Sequence, residues 1–294
     1  MIIRENAKKI LIRNSGEDSI FGNDYYMNIY RGCTHGCIYC DSRSECYQVK
    51  NFDTDVIIKE NAIELLEKEL KSKRKKGIVS ISGSMCDSYM HIERKLELSR
   101  KALEVIYKHN FAVQVHTKSD LVIRDIDLLT KIDNKSNANV LFTITTASDK
   151  ISSIIEPNSP VSSDRFKAIK ELSDKGVTTG IAIWPILPFI TDSKENIISL
   201  IKMASEAGAT YVLFGSGVTL RGNQREYFYK KLTDAGSNLA KKYIDEYGVS
   251  YECIPKNIDI LKKAFMDTCK LYSLETKAPY YKFKEHSQLS LFDI

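Results

Sequence analysis

Short runs rich in Val, Ile, Thr and Phe alternate along the chain with longer stretches whose apolar residues recur every three to four positions. The first pattern predicts strands and the second amphipathic helices. "YYMNIY" (25–30) reads as a strand, "NAIELLEKELKSK" as a helix, "GIVSIS" (77–82) as a strand and "ERKLELSRKALEVIYKH" as a helix. "FAVQVHT" (111–117), "NVLFTITT" (139–146), "VTTGIAIWPI" and "TYVLFG" (210–215) are the remaining strands. Between them lie helical "IRDIDLLTKI", "SSDRFKAIKELSDKG", with Ser and Asp offered as caps, and "SKENIISLIKMASEAG". A long helix follows over about 222–246, then another in "NIDILKKAFMDTCKLYSLETK". The basic run "KELKSKRKKG" (68–77) falls where a helix should end, with Gly77 as its stop.

Six strand-then-helix units imply parallel strands with helices outside. An open doubly wound sheet and an incomplete six-unit barrel both fit, and both place function on loops after the C-terminal ends of strands. The special residues sit there: the segment 31–47 after the first strand, "SGSMCDS" after the second, "HTKSD" after the third and "GSG" after the sixth. The first strand is not followed by a Gly-rich phosphate loop, which weighs against nucleotide folds of that kind.

At 294 residues and 43% hydrophobic composition the chain can bury a large core. The N-terminus "MIIRENAKKILIRNSG" lacks a long apolar run, and no stretch is long and apolar enough for a bilayer, so no membrane role and a cytoplasmic location are expected. A formal net charge of +5 permits contact with nucleic acid without demanding it. Seven cysteines, an odd number spread through a large chain, argue against a disulfide framework.

Four of those cysteines fall in "RGCTHGCIYCDSRSECY" (31–47), where Cys33, Cys37 and Cys40 are spaced C-x3-C-x2-C. Thiolates suit zinc or an iron–sulfur cluster. Zinc takes four ligands, so it would recruit His35, Cys46 or a distant residue. A [4Fe–4S] cluster on three thiolates leaves one iron open to a substrate or cofactor. The groups of "DSRSE" are candidates to face substrate, and Cys46, Cys253 and Cys269 read as small apolar side chains, Cys46 being the likeliest exception.

This triplet after the first strand, with Tyr39 before its third cysteine, resembles the radical SAM superfamily. "GCTHGCIYC", "MCDSYMHIERKLELSRKALEV", "HTKSDLVIRDIDLL", "FTITTASDKISSIIEPNSPVSSDRFKAIKEL" and "TTGIAIWPILPFITD" resemble, in order over about 25–215, its spore photoproduct lyase-like branch of DNA repair photolyase-type proteins. The resemblance implies an α/β partial (β/α)6 barrel over 25–250, with an N-terminal extension (1–24), a C-terminal helical segment (251–278) and a flexible tail (279–294). It further implies a [4Fe–4S] cluster on Cys33, Cys37 and Cys40. S-adenosyl-L-methionine would sit on the open iron and be split to a 5′-deoxyadenosyl radical. Tyr39, Ser84, Lys118 and Thr143 would bind the cofactor, Lys118 through its carboxylate. Cys86 stands near the position of the lyase's hydrogen-donating cysteine, though Ser84 aligns with that donor, and Asp41 replaces a tyrosine thought to relay hydrogen. The implied substrate is DNA, through lesion repair or base modification, with flavodoxin or ferredoxin as electron donor. Other readings are a radical enzyme acting on RNA, protein or a small molecule, and a non-catalytic metal-binding accessory protein.

The tail ends "APYYKFKEHSQLSLFDI". Gln288, Leu289, Leu291 and Phe292 resemble the peptide by which bacterial repair proteins bind the sliding clamp, with Gln at a polar rim and the Leu-Phe pair in an apolar pocket.

Overall fold

A computed structural model describes residues 1–14, 21–81, 86–236 and 238–281. Its strands are β1 (Ile2–Glu5), β2 (Leu11–Arg13), β3 (Tyr25–Met27), β4 (Tyr30–Arg31), β5 (Val56–Lys59), β6 (Ile78–Ile81), β7 (Ala112–Thr117), β8 (Ala138–Thr143), β9 (Thr178–Ile183), β10 (Tyr211–Phe214), β11 (Val218–Thr219) and β12 (Glu252–Cys253). Its helices are α1 (Ala62–Lys71), α2 (Glu93–Leu96), α3 (Leu98–Lys108), α4 (Ile126–Lys135), α5 (Asp149–Ile155), α6 (Ser162–Asp174), α7 (Lys194–Glu206), α8 (Gly222–Asp234), α9 (Leu239–Tyr247) and α10 (Ile258–Leu271).

Strands β3, β6, β7, β8, β9 and β10 lie side by side in chain order and all run parallel. This is the succession expected of six β–α units with helical crossovers. Antiparallel β2 extends the sheet beyond β3, and among the described residues the outer strands β2 and β10 do not pair, so the barrel is open. The chain after α10 lies along that opening. Glu275 bonds through its backbone to Thr210 and Val212 beside β10, and the carbonyl of Pro279 reaches Gly22. Strands β1 and β4 flank β5 in a separate small sheet.

Alternation sorts each strand's side chains into two sets. Val113, Val115, Val140, Phe142, Ile181 and Ile183 face the helices and are buried against Leu103, Leu129, Ile169 and Ile201. Each such side chain contributes roughly 1.5–3 kcal/mol by leaving water. The other set faces inward and is partly polar. Tyr211 donates to Asn139 (2.9 Å), Asn23 to Gln114 (3.1 Å), and Gln114 to the carbonyl of Phe21 (2.6 Å). A segment preceding β3 thus bonds to the inner face of β7, which shows that the sheet curls.

Several elements differ from the sequence expectation. "YYMNIY" is two strands, because Tyr30 and Arg31 leave the main sheet to pair with β5, a four-residue run too short to stand out by periodicity. The helix over 93–109 breaks at Glu97 (φ 52°), since the Glu93 carboxylate folds back to accept from Ser99 N (2.8 Å). The 222–246 helix is α8 and α9, separated where Gly236 takes a φ of 70°. Helix α1 ends at Ser72, before Gly77. Helix α6 has no side-chain cap; Ser162 instead donates to the carbonyl of Thr146 (2.7 Å), and the capping serines are Ser148 of α5 and Ser193 of α7.

Candidate active site

Cys33, Cys37 and Cys40 lie on the loop between β4 and the two short 3-10 turns at 41–43 and 45–47. Its shape is held from outside. The Arg43 guanidinium donates to the Cys37 carbonyl (3.3 Å) and to the Asp53 carboxylate (2.6 Å). It also lies 3.7 Å over the ring of Tyr227 on α8. Gln224 of the same helix, fully buried, donates to the Tyr39 carbonyl (3.1 Å), and Arg221 donates to Asp41 (3.0 Å). Asp41 also accepts from Tyr47 (3.0 Å), so the charges of Asp41 and Arg43 are engaged by partners within the protein, while Glu45 is exposed.

The three thiols are free and close enough for Cys37 and Cys40 to act electrostatically on Cys33. Burial, reinforced by Asp87 and by its two neighbours, pushes the Cys33 thiol well above its ordinary pKa; burial pushes Cys37 up to about 12, partly offset by the cation of Lys118. Burial raises Cys40 as well. Buried thiols that resist ionising beside one another suit a metal group, whose positive charge deprotonates them on binding. Among the described residues no three His, Cys, Asp or Glu converge as one ion requires. The cysteines of an iron–sulfur cluster sit at separate corners, so the donor set fits that group.

Lys118, just past β7, is half-buried with its ammonium 5.8 Å from the Tyr39 ring, and its Nζ has no hydrogen-bond partner among the described residues. Burial opposes its charge, but Cys37 and Glu156 outweigh burial and hold its pKa above the ordinary value. Thr143, at the end of β8, is buried with Oγ1 2.8 Å from Nε2 of His116. Tyr39 is buried and donates to Glu156, whose carboxylate pairs with fully buried Arg165 (2.5 Å); Arg165 in turn donates to the Thr143 carbonyl (2.8 Å). Asp87 accepts from Thr117 (2.7 Å) and from Lys118 N (2.7 Å), tying the β6 loop to the end of β7.

The structure therefore brings the cysteines, Tyr39, Lys118 and Thr143 to one end of the strands. Cys86 lies near Cys40, its thiol donating to the Tyr30 carbonyl (3.0 Å), and burial pushes its pKa up to about 12. Ser84 and the tail residues Gln288, Leu289, Leu291 and Phe292 lie outside the described residues. Cys253 and Cys269 are buried as expected of small apolar groups, while Cys46 is exposed. Sequence reasoning missed Glu156, Arg165, Asp87 and the α8 residues. The one local signal was a carboxylate before proline in "IIEPNSP"; the rest are partners across more than a hundred positions in some cases.

Comparison with known proteins agrees with this geometry. The family model described as "Radical SAM superfamily" matches residues 27–201, more than half the chain. The uncharacterized protein MJ0683 of Methanocaldococcus jannaschii is 35% identical over 256 residues, covering 86% of each chain. A spore photoproduct lyase mutant superposes with a TM-score of 0.70 at 13% identity, covering 96% of this chain and 82% of its own. Another, with bound AdoMet and dinucleoside spore photoproduct, gives 0.69 at 13% identity over the same shares. At such identity these structures establish the fold, a partial barrel of parallel strands. No helix among the described residues is long and apolar enough to cross a membrane. With the cysteine triplet, the open six-strand barrel and the family match all in register, the chain belongs to the radical SAM superfamily.

Proposed function

We propose that Cys33, Cys37 and Cys40 hold a [4Fe–4S] cluster with S-adenosyl-L-methionine beside it, and that the resulting radical chemistry is directed at DNA. When bound, the pair supplies reductive cleavage of the sulfonium and a 5′-deoxyadenosyl radical for hydrogen abstraction. The observation that carries the reading is Lys118. Its ammonium, without a hydrogen-bond partner among the described residues, stands at the strand ends near Cys37, where a cofactor carboxylate would find its counter-charge. Thr143 and Tyr39 line the same end, and the Glu156–Arg165 pair fixes both of them from behind. A role for Cys86 as hydrogen donor requires its S–H to leave the Tyr30 carbonyl.

The choice of DNA rests on the sequence blocks that resemble the lyase branch and on the dinucleoside spore photoproduct held by a protein of the same fold. The clamp-like tail is consistent with it: a tether at the replication fork would raise the local concentration of the enzyme. The test is anaerobic reconstitution followed by incubation with damaged, deuterated oligonucleotides, reading deuterium in 5′-deoxyadenosine. Transfer from DNA supports the reading. Cofactor cleavage without transfer from any DNA, but with transfer from RNA, protein or a small molecule, replaces the substrate. A colourless protein holding one zinc and leaving the cofactor intact supports a non-catalytic role.

A further inference from the structure

Period-two alternation on β9 places Gly180, Ala182 and the next residue of that set, Trp184, on the inner face of the barrel. Thr143 pairs with Ala182, so Trp184 lies one step further toward the mouth than the cofactor-lining hydroxyl. Just past the adjoining strand β10, Gly215 stands beside the indole; a Cβ there would fall 2.4 Å from Trp184 Cγ, so this position admits the ring only as glycine. Phe21 stacks on Trp184 (centroids 6.3 Å, 18° between planes) and leans on His116 of β7 (5.8 Å). Three rings from three distant segments thus line the same mouth. Burial and the nearby Lys118 cation hold His116 neutral, with a pKa of about 4, so it adds a flat uncharged surface.

Trp184 nevertheless remains 37% exposed. The loop that carries Trp184 continues through Leu187 into the same apolar cluster as Cys37 and Tyr39, so the indole and the cysteine loop stand at the same end of the strands. Phe189, the other large aromatic of this loop, instead contacts Tyr243 (5.5 Å) and Tyr247 (6.3 Å) of α9. We propose that Trp184, backed by Phe21 and seated on Gly215, is the stacking platform for a nucleobase of the substrate strand. This rests on the nucleic-acid reading above and adds the residue that grips the base. A base offers a π-face to an indole whatever its identity, which suits a site that reads damage or position more than sequence.

Trp184 is the chain's one tryptophan, so its emission reports on this site alone. The full chain, with its cluster in place and without reductant, is titrated with a short single-stranded oligonucleotide and with an abasic strand of equal length. Binding is followed separately by the anisotropy of a label on the strand. The base-bearing strand is expected to quench the emission and bind roughly tenfold tighter than the abasic one. Trp184→Phe should retain most of that preference, Trp184→Leu should lose it, and Phe189→Leu should keep it. Gly215→Ala, which displaces the indole without removing it, should weaken binding too. Bound strand with unchanged emission overturns the inference, as does a preference for bases that survives Trp184→Leu. A wild type that binds neither strand overturns the nucleic-acid reading and this inference with it.

Discussion

The guanidinium of Arg43 lies 3.7 Å over the ring of Tyr227, joining the turn after the third cysteine of the triplet to helix α8. The contact matters because the same guanidinium donates to the Cys37 carbonyl and to Asp53. Only a planar fork serves three partners at once; a lysine ammonium is a point charge. Arg43→Lys is expected to leave the fold intact, with iron and sulfide lost several-fold faster on gel filtration after anaerobic reconstitution. Equal retention would show that the loop holds its shape without the stack.

Cys37→Ala should abolish reductive cleavage of S-adenosylmethionine, since a cluster cannot be built on the two remaining thiols of the loop. Lys118→Met, nearly isosteric but uncharged, should raise the KM for the cofactor at least tenfold while the iron content stays normal. Iron analysis and 5′-deoxyadenosine yield separate the two effects. Normal turnover in the first variant, or an unchanged KM in the second, would remove the corresponding role.

Glu156 and Arg165 form an ion pair in which neither side chain reaches solvent. Removing one partner strands the other charge, so Glu156→Ala should cost about 3–5 kcal/mol in urea unfolding. The double change Glu156→Ala with Arg165→Met should recover much of that loss, because the uncompensated charge goes with the arginine. If the single variant is as stable as the wild type, water or another group satisfies Arg165.

His116 is held neutral by burial and by Lys118, with a folded pKa of about 4 against an ordinary 6.5. Between those values the unfolded chain binds a proton that the folded chain refuses, so stability falls as pH drops from 6.5 toward 4 and is complete above 6.5. Over that window the contribution is at most ~3 kcal/mol. His116→Gln should flatten this part of the profile, read from urea midpoints at pH 7.5, 6 and 5. A parallel profile in the variant would assign the acid sensitivity to other groups.

For the tail, Leu291→Ala combined with Phe292→Ala should abolish capture by a bacterial sliding clamp and leave cofactor cleavage intact. Capture that survives the double change would place the clamp contact, if one exists, elsewhere on the chain.

Much of the architecture was legible because it depends on local periodicity. Alternating apolar runs of period two and near four marked the six parallel strands and most of their helices, and C-x3-C-x2-C marked the loop that carries the chemistry. Breaks were less legible. The splitting of "YYMNIY" depends on β5, a partner more than twenty residues away, and the kink at Glu97 depends on a carboxylate folding back onto the next helix.

The cysteine triplet, the order of β–α units and the basic residue at the end of β7 belong to the sequence by itself, since each is set by neighbours within a few positions. The tertiary structure alone decided that Arg43 meets Tyr227, that Tyr39 bonds to Glu156, and that Phe21, His116 and Trp184 share one mouth. Those pairs form only when the sheet curls and its register brings distant strands level, and no local pattern of apolar and polar residues encodes that curvature.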